Sequence, residues 1–488
     1  MAARHHAAPI STAPLAIRGA EVIDGSGAAR FTADLLLDGG LITAVLPPGT
    51  GEAASVIDAR GLVVCPGFID THSHDDLLVL QPTQPHPKLA QGVTTVVTGN
   101  CGISLAPLVT SQPPPPLDLV ADGAPRYAHF RDYLAALDDV RPCVNVVPLI
   151  GHTSLRVQHV ADLSRAATND EVAGMGRAIR EALDAGAFGL STGVYYPPAR
   201  AATTAELLAV CAALQGRDAM LAMHIRDEAA QIDAALQEAL QVAAACAARL
   251  VLSHHKVTGP LNHGRTRQTL SAVDAAAQRQ AVCLDCYPYE ASSTMLDAER
   301  AAQVENVLIT WSTPHPECSG QSLRSVAAGW GIGLHEAALR LLPGGAIYFT
   351  LAAEDVERVL QHPLTMIGSD GLPHDRHPHP RLWGTFPRVL GHYSRERGLM
   401  PLEAAVHKMT GLPARRFGLA GRGLIAAGQA ADLVLLDPVR VADTATYAVP
   451  QGLPTGIHAV LVNGALALHD GQYLDMHAGR RLRPASLV

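Results

Sequence analysis

Short apolar runs recur along the middle of the chain, and most of them stop at a polar residue. Stretches with the spacing of amphipathic helices separate most of these runs, a pattern typical of strands that alternate with helices. The eight candidate strands end near His72, Cys101, His152, Thr192, His224, His254, Tyr287 and Asp370. This α/β alternation predicts a parallel sheet, and eight strands favour a (β/α)8 TIM-like barrel.

The two ends of the chain differ from the middle, because their short strands are separated by turn residues alone. We therefore expect residues 1–61 and 419–488 to form one small β domain, and residues 62–418 to form the barrel. The regular alternation of strands and helices stops after the seventh candidate strand, at Tyr287, and the eighth candidate strand, at Asp370, lies much further along the chain than one strand–helix unit requires. The excess chain predicts a barrel insertion at about residues 288–350, which is a candidate lid over the barrel mouth.

Composition narrows the possible partners. The chain has 488 residues, of which 48% are hydrophobic and 17% charged, and its formal net charge is −8. A mildly acidic chain without a basic cluster predicts no nucleic-acid or anionic-membrane partner. No apolar run is long enough for a signal peptide or a membrane span, and eight cysteines are sparse for a disulfide scaffold. These features predict a cytoplasmic protein and leave its oligomeric state open.

A histidine pair gives the clearest chemical signal. His72 and His74 follow an apolar run, and residues two apart on a strand point to the same face, so both imidazoles reach one metal ion. A lone histidine among the 23 would be weak evidence. The joint pattern is strong, because further metal-type residues stand at other strand ends, namely Cys101, His224, His254 and Asp370.

Other side chains near these strand ends are candidates for catalysis and binding. A carboxylate beside a metal-bound water takes its proton, so Asp370 is a candidate acid and base; the alternative is a helix N-cap. Lys256 and Arg381 are candidate anchors for a carboxylate, and solvated surface charge is their alternative. Hydroxyl groups that can donate to a carbonyl or a carboxylate, or merely pack in the core, belong to Tyr196, Tyr287 and Ser293.

The motifs resemble the amidohydrolase superfamily and, within it, the N-acyl-D-amino-acid deacylases (D-aminoacylases). The resembling segments are Pro66–Asp76, Gly92–Ser104, Ser191–Pro198, His224–Glu228, Ser253–Lys256 and Gly368–Trp383. The first segment is common to the superfamily, whereas the segments around Cys101, His224 and His254 are specific to the deacylases. The stretch Trp311–Gly320 looks most like that of the N-acyl-D-glutamate deacylases.

The resemblance implies a (β/α)8 barrel with a barrel insertion, together with a β-sandwich formed by residues 1–61 and 419–488. It also implies a zinc-dependent hydrolase that acts on a small-molecule N-acyl-D-amino acid. It implies one tight zinc site, held by Cys101, His224 and His254. It also implies a weak second site at His72, His74, bridging Cys101 and Asp370, and it makes Asp370 the general base and acid. The resemblance further assigns the α-carboxylate to Lys256, Arg381, Tyr287 and Ser293, and the polarisation of the scissile carbonyl to Tyr196. Arg300 becomes a candidate for binding a side-chain carboxylate, with a plain surface arginine as the alternative.

Three alternatives stay open at this point. A deacylase of the same family can prefer broad or hydrophobic side chains rather than acidic ones. A cyclic amidase, hydantoinase-like or dihydroorotase-like, is the runner-up, although such enzymes commonly bridge two metals with a carbamylated lysine, and here Cys101 stands in the bridging position. A metal-free scaffold is the third alternative, and the presence of every ligand in the sequence argues against it.

Overall fold

The computed structural model describes residues 14–81, 83–121, 123 and 125–485. The first 13 residues of the predicted β-rich start lie outside the described residues. The strands are β1 (Leu15–Val22), β2 (Phe31–Asp38), β3 (Leu41–Leu46), β4 (Ser55–Asp58), β5 (Val63–Pro66), β6 (Phe68–Asp70), β7 (Val93–Thr98), β8 (Asn145–Pro148), β9 (Ile150–Gly151), β10 (Gly189–Gly193), β11 (Met220–His224), β12 (Arg249–Leu252), β13 (Val282–Cys286), β14 (Ser292–Met295), β15 (Val307–Ser312), β16 (Gly344–Tyr348), β17 (Thr365–Ile367), β18 (Leu433–Leu436), β19 (Ile457–Val462), β20 (Ala465–His469) and β21 (Gln472–Tyr473).

The α-helices fall mostly between the strands of the middle region. They are α1 (Asp118–Ala121), α2 (Phe130–Val140), α3 (His152–His159), α4 (Asn169–Ala185), α5 (Pro197–Arg200), α6 (Thr204–Cys211), α7 (Ile232–Cys246), α8 (Thr266–Ala277), α9 (Ala298–Gln303), α10 (Leu323–Trp330), α11 (Leu334–Arg340), α12 (Ala353–Gln361), α13 (Arg381–Arg388), α14 (Leu402–Met409) and α15 (Gly411–Phe417). A capping box at Thr168 begins α4, and the left-handed Gly186 ends it, so backbone groups at both ends of the helix form hydrogen bonds.

Two parallel sheets occupy the middle of the chain. One has six strands in the order β17-β13-β12-β11-β10-β9, and the other has three in the order β6-β7-β8. All pairings within both sheets are parallel. The predicted α/β class with parallel strands is therefore confirmed, and all the strand ends that carry candidate residues belong to these two sheets.

A third sheet combines the two ends of the chain. Its order is β21-β20-β19-β18-β5-β1-β2-β3, with β4 paired to β1. Apolar residues on one face form a separate buried cluster that includes Ile17, Leu35 and Leu461. Strand β5 pairs with β18, and β6, which follows β5 directly, enters the three-stranded parallel sheet. The chain therefore passes from the terminal sheet to the three-stranded parallel sheet just before the histidine pair.

An antiparallel sheet separates β13 from β17. Its strands pair in the order β14-β16-β15. Together with α9, α10 and α11, this sheet forms a separate hydrophobic cluster. This is the stretch of chain in which the sequence predicts an insertion. In the part of the chain that the structure describes, no helix is long and apolar enough to cross a membrane.

Candidate metal centre

Six buried side chains from different strand ends meet in one place, and we call them the metal cluster. His72 and His74 follow β6, and Cys101 follows β7. His224 is the last residue of β11, while His254 and Asp370 follow β12 and β17. The carboxyl ends of parallel strands lie at one edge of a sheet, so one sheet groups His72, His74 and Cys101 and the other groups His224, His254 and Asp370. Contacts of Cys101 with His254 and of His74 with Asp370 join the two groups.

One half of the metal cluster pairs two histidines with a carboxylate. His74 Nε2 lies 3.2 Å from Asp370 Oδ1, and His72 Nε2 lies 3.6 Å from the same oxygen. The ligand atoms of all three side chains lie within 4.8 Å of one another. Nitrogen and carboxylate donors at such separations can share one ion.

Cys101 joins this half to the other. Its Sγ lies 3.2 Å from His72 Nε2 and 3.4 Å from His254 Nε2. The His224 ring crosses the His254 ring nearly at right angles, with a centroid separation of 4.3 Å. The thiol therefore lies between two groups of imidazoles, as a bridging ligand would.

The donor set fits zinc. Neither ring nitrogen of buried His224 has a hydrogen-bond partner among the described residues, although buried polar atoms are normally satisfied. A cysteine and two histidines offer the sulfur and nitrogen donors that zinc prefers. His224 Nε2 lies 3.7 Å from Glu228 Oε1, beyond hydrogen-bond distance, and a metal ion at His224, His254 and Cys101 would give this ring a ligand bond.

Three members of the metal cluster have strained backbones. The φ angles of Cys101, His254 and Asp370 are 54°, 36° and 50°, in the left-handed region that residues other than glycine rarely occupy. Such conformations cost about 1–3 kcal/mol each and concentrate at functional sites. Gly193 permits the turn at Cys101, because an added Cβ would lie 2.2 Å from the Cys101 carbonyl oxygen.

Neighbouring charges keep two of the ligands ionised. Burial alone would raise the pKa of the Cys101 thiol, but His72 and His254 outweigh it and hold the pKa well below its ordinary value. Burial likewise opposes ionisation of Asp370, whereas Arg381 and the nearby histidines hold its pKa well below the ordinary carboxyl value. A thiolate and a carboxylate are the forms that bind a metal.

Two further carboxylates support the metal cluster, and sequence reasoning gave them no role. Glu228 Oε1 lies 3.1 Å from His254 Nδ1 and 2.5 Å from Lys256 Nζ. Asp285 Oδ1 accepts a 2.7 Å hydrogen bond from the His254 backbone N–H and lies 3.3 Å from His72 Nδ1. Carboxylates behind the second ring nitrogen orient imidazole ligands. Alternation along β13 offered a signal for Asp285, since it faces the same side as Tyr287.

The predicted carboxylate anchors also lie close together; we call Lys256, Tyr287, Ser293 and Arg381 the anchor cluster. The Arg381 guanidinium lies over the Tyr287 ring at 4.6 Å, donates to Ser293 O at 3.1 Å and pairs with Asp370 Oδ2 at 2.9 Å. Lys256 Nζ lies 5.8 Å from the centre of the same ring. Among the described residues, Tyr287 Oη, Ser293 Oγ and Arg381 Nε have no hydrogen-bond partner.

Tyr196 and Arg300 lie on either side of Tyr195. The Tyr196 ring meets His224 edge-on at 5.0 Å, and its hydroxyl accepts a 3.5 Å hydrogen bond from Thr294. Burial raises the Tyr196 pKa well above its ordinary value, so the hydroxyl keeps its proton. Arg300 donates to the Tyr195 hydroxyl at 3.2 Å and covers the Tyr348 ring at 4.2 Å.

Comparison with known proteins gives a consistent set of relatives. A model of the amidohydrolase family matches residues 55–307 and 324–467. A D-aminoacylase of Alcaligenes xylosoxydans xylosoxydans is 50% identical over 96% of this chain and 97% of its own. The N-acyl-D-aspartate deacylase of that organism is 52% identical over 92% and 90% of the two chains. The N-acyl-D-glutamate deacylase of the same organism is 47% identical to this chain over 92% of each of the two chains.

Solved structures agree. A D-aminoacylase crystal structure has a TM-score of 0.94 and 49% identity, covering 96% of this chain and 99% of that one. The N-acyl-D-glutamate deacylase of Bordetella bronchiseptica was solved with zinc and a phosphonate that mimics the tetrahedral intermediate. It has a TM-score of 0.92 and 45% identity over the same shares. An L-hydantoinase of Arthrobacter aurescens, at a TM-score of 0.60 and 17% identity over 96% and 99%, shares the fold alone.

Proposed function

The chain belongs to the amidohydrolase family, and from that premise we propose that it hydrolyses the amide bond of N-acyl-D-amino acids in a zinc-dependent reaction. The products are a D-amino acid and a carboxylate. The observation that carries the proposal is the contact between the two clusters, because Arg381 of the anchor cluster pairs with Asp370 of the metal cluster. A substrate carboxylate held at Arg381 would bring its neighbouring amide to the metal cluster.

Cys101, His224 and His254 would hold zinc tightly. His72 and His74, with Asp370 and the shared Cys101 thiolate, would form a second and weaker position. When bound, zinc supplies Lewis acidity at the scissile carbonyl. The Tyr196 hydroxyl, which keeps its proton, would donate to the same carbonyl oxygen as negative charge develops on it.

Asp370 would move the proton. Its carboxylate is ionised and buried beside His74 and Arg381, so it can accept a proton from the attacking water. It would then return that proton to the departing amine nitrogen. The N-cap alternative for Asp370 finds no support, since helix α13 begins only at Arg381 and Pro380 is its N-cap.

The anchor cluster would bind the α-carboxylate of the substrate. Its unpartnered donors, Tyr287 Oη, Ser293 Oγ and Arg381 Nε, are buried, and burial without a partner is costly. Burial raises the Tyr287 pKa well above its ordinary value, so this hydroxyl can donate. A carboxylate accepts several hydrogen bonds at once and would satisfy the three groups together.

Arg300 would select acidic side chains, with a leaning to D-glutamate. It lies half-buried beside Ser292, and no carboxylate of the described residues pairs with it. Its direct partners are the hydroxyls of Tyr195 and Ser292 and the face of Tyr348, so a substrate carboxylate could form the ion pair that it lacks among the described residues. The relatives include both an aspartate and a glutamate deacylase as well as a D-aminoacylase, so side-chain preference is the finest part of the proposal.

The two parallel sheets would close into one (β/α)8 barrel. Phe188 N, just before β10, donates to Pro148 O of β8 at 2.9 Å along one seam, and Asp370 N donates to His72 O at 2.7 Å along the other. These bonds support the predicted barrel of residues 62–418. The division into domains, the sandwich of both termini, the lid at about residues 288–350 and the cytoplasmic location stay predictions.

The cyclic-amidase alternative loses support from the position of the lysine. Lys256 Nζ lies 2.9 Å from His254 Nδ1, behind the ring, whereas Cys101 Sγ faces Nε2 of the same ring. A carbamylated lysine at Lys256 would therefore not bridge the two halves of the metal cluster.

A paired-substrate assay tests the proposed function. Zinc-loaded protein is incubated with N-acetyl-D- and N-acetyl-L-forms of glutamate, aspartate, leucine and methionine, and amine release is measured. We expect release from D-forms only, fastest with glutamate. Faster turnover of leucine or methionine would overturn the acidic preference but not the deacylase. Hydrolysis of a hydantoin with no release from any linear substrate would replace the deacylase by a cyclic amidase.

A further inference from the structure

A buried histidine outside both clusters connects the parts of the anchor cluster. We infer that His379 is a positioning residue that fixes Arg381 for binding the α-carboxylate of the substrate. The inference rests on the proposed function, because that function gives Arg381 its role. His379 lies two residues before Arg381 in the segment that leads into α13.

The hydrogen bonds of His379 define its tautomer. The backbone N–H of Arg381 donates to Nδ1 at 3.0 Å, so Nδ1 carries no proton. The opposite nitrogen, Nε2, then carries the proton and donates to Ala291 O at 3.1 Å. The neutral ring thus acts as a rigid link with one acceptor and one donor. Burial, together with the charge of Arg381, holds the His379 pKa well below its ordinary value and keeps the ring neutral.

The two bonds close a loop of contacts around Arg381. Ala291 directly precedes β14, and the carbonyl of Ser293 on β14 accepts a 3.1 Å hydrogen bond from Arg381 Nη2. His379 therefore ties the backbone of Arg381 to the strand segment that also receives its side chain. This arrangement fixes both ends of a long, flexible side chain, which reduces the entropy lost when a ligand binds.

Aromatic neighbours hold the imidazole in this orientation. Tyr289 and Tyr447 each meet the ring edge-on, with centroid separations of 5.1 Å and interplanar angles of 88° and 81°. Tyr447 comes from the segment after β18, far along the chain. Sequence proximity to Arg381 therefore does not by itself account for the position of the ring.

The rival explanation is that His379 merely fills space and caps α13, since Arg381 N–H belongs to the first turn of that helix. Three variants separate these roles. His379→Phe keeps the ring volume and removes both hydrogen bonds. His379→Asn keeps an acceptor at the Nδ1 position, and His379→Gln places a donor near the Nε2 position.

The experiment measures KM and kcat of the zinc-loaded protein for N-acetyl-D-glutamate, and the Kd of D-glutamate by calorimetry. We expect His379→Phe to raise KM and Kd by roughly tenfold or more, with a smaller loss of kcat. His379→Asn should recover most of the affinity, and His379→Gln less of it. His377→Phe is the matched control, because His377 lies in the same segment and hydrogen-bonds Tyr447 O rather than Arg381; we expect its KM to stay within about twofold of the unmodified value.

The possible results discriminate clearly. If His379→Phe folds with an unchanged melting temperature and binds D-glutamate as tightly as the unmodified protein, the inference is overturned. If all three variants lose affinity equally together with thermal stability, the structural rival is correct. If the unmodified protein releases no amine from any N-acyl-D-amino acid but binds D-glutamate, the proposed function fails and the calorimetric comparison still decides the inference. If it neither releases amine nor binds D-glutamate, both the proposed function and the inference are overturned.

Discussion

The metal cluster and the anchor cluster lie side by side but are built differently. Members of the metal cluster lie at or next to the ends of parallel strands, so the sheets fix their relative positions. The anchor cluster takes Ser293 from β14 and Arg381 from the start of α13, and neither element belongs to the two parallel sheets. In the proposed function, catalysis would therefore depend on the parallel sheets, whereas substrate affinity would depend in part on elements outside them. Changes in the first cluster should affect turnover of every substrate, and changes in the second should affect affinity.

Removing the shared thiolate should have the largest effect. We expect Cys101→Ala to lose zinc and turnover together, because its Sγ contacts both halves of the metal cluster. Zinc content and kcat are measured on the same sample. The control is Cys211→Ala, a buried cysteine on α6, whose thiol pKa is raised by burial. It should keep both zinc and turnover; full activity in Cys101→Ala would contradict the assignment.

Removing the proposed base should come next. We expect Asp370→Asn to lower kcat roughly a thousandfold while the tightly bound zinc stays in place. The amide keeps the size of the side chain but cannot accept the proton. Steady-state kinetics and metal analysis check this expectation, and substantial remaining turnover would remove Asp370 from its role.

Removing an anchor should act on affinity. We expect Arg381→Met to raise KM about a hundredfold for every N-acyl-D-amino acid, because a buried charge-assisted contact to the α-carboxylate is lost. The value of kcat should fall as well, since Arg381 also pairs with Asp370 and holds its pKa low. Arg388→Met, on the same helix, is the control, since Arg388 bonds Pro288 O and Asp443 instead. An equal rise in KM for both variants would point to helix α13 as a whole rather than to a carboxylate contact.

Removing the proposed selectivity residue should have the smallest effect. We expect Arg300→Met to raise KM about tenfold for N-acetyl-D-glutamate and to leave N-acetyl-D-leucine nearly unchanged. The control is Arg340→Met on α11, where the side chain is 51% exposed and pairs with Glu336. If both substrates are affected alike, Arg300 acts on the pocket in general and does not recognise an acidic side chain.

The contrast also explains what the sequence could predict. Strand ends are local signals, so the meeting of His72, Cys101 and Asp370 follows from parallel topology. Cys283 and Cys286, three residues apart on β13, lie in different hydrophobic clusters, as the alternation of side chains along a strand requires. Glu228 supports a ligand from behind, a role that strand spacing does not signal, whereas alternation along β13 shows only which way Asp285 faces and not which ligand it supports.

The contacts of the anchor cluster were harder to predict, because they depend on long-range folding of the chain. The pairing of Arg381 with Asp370 depends on how the chain after β17 folds back, and local patterns do not encode such a return. The link from His379 to Ala291 likewise joins residues whose connection includes the whole antiparallel sheet. Contacts of this kind become visible only when the tertiary packing is known.

Zinc titration of the chelated protein is the most direct test of whether turnover requires zinc in the metal cluster. Protein freed of metal is mixed with increasing zinc, and bound zinc and amine release from N-acetyl-D-glutamate are measured on the same samples. We expect no turnover without metal, and a rise in turnover as zinc fills the site formed by Cys101, His224 and His254. Full turnover with no zinc bound would contradict it.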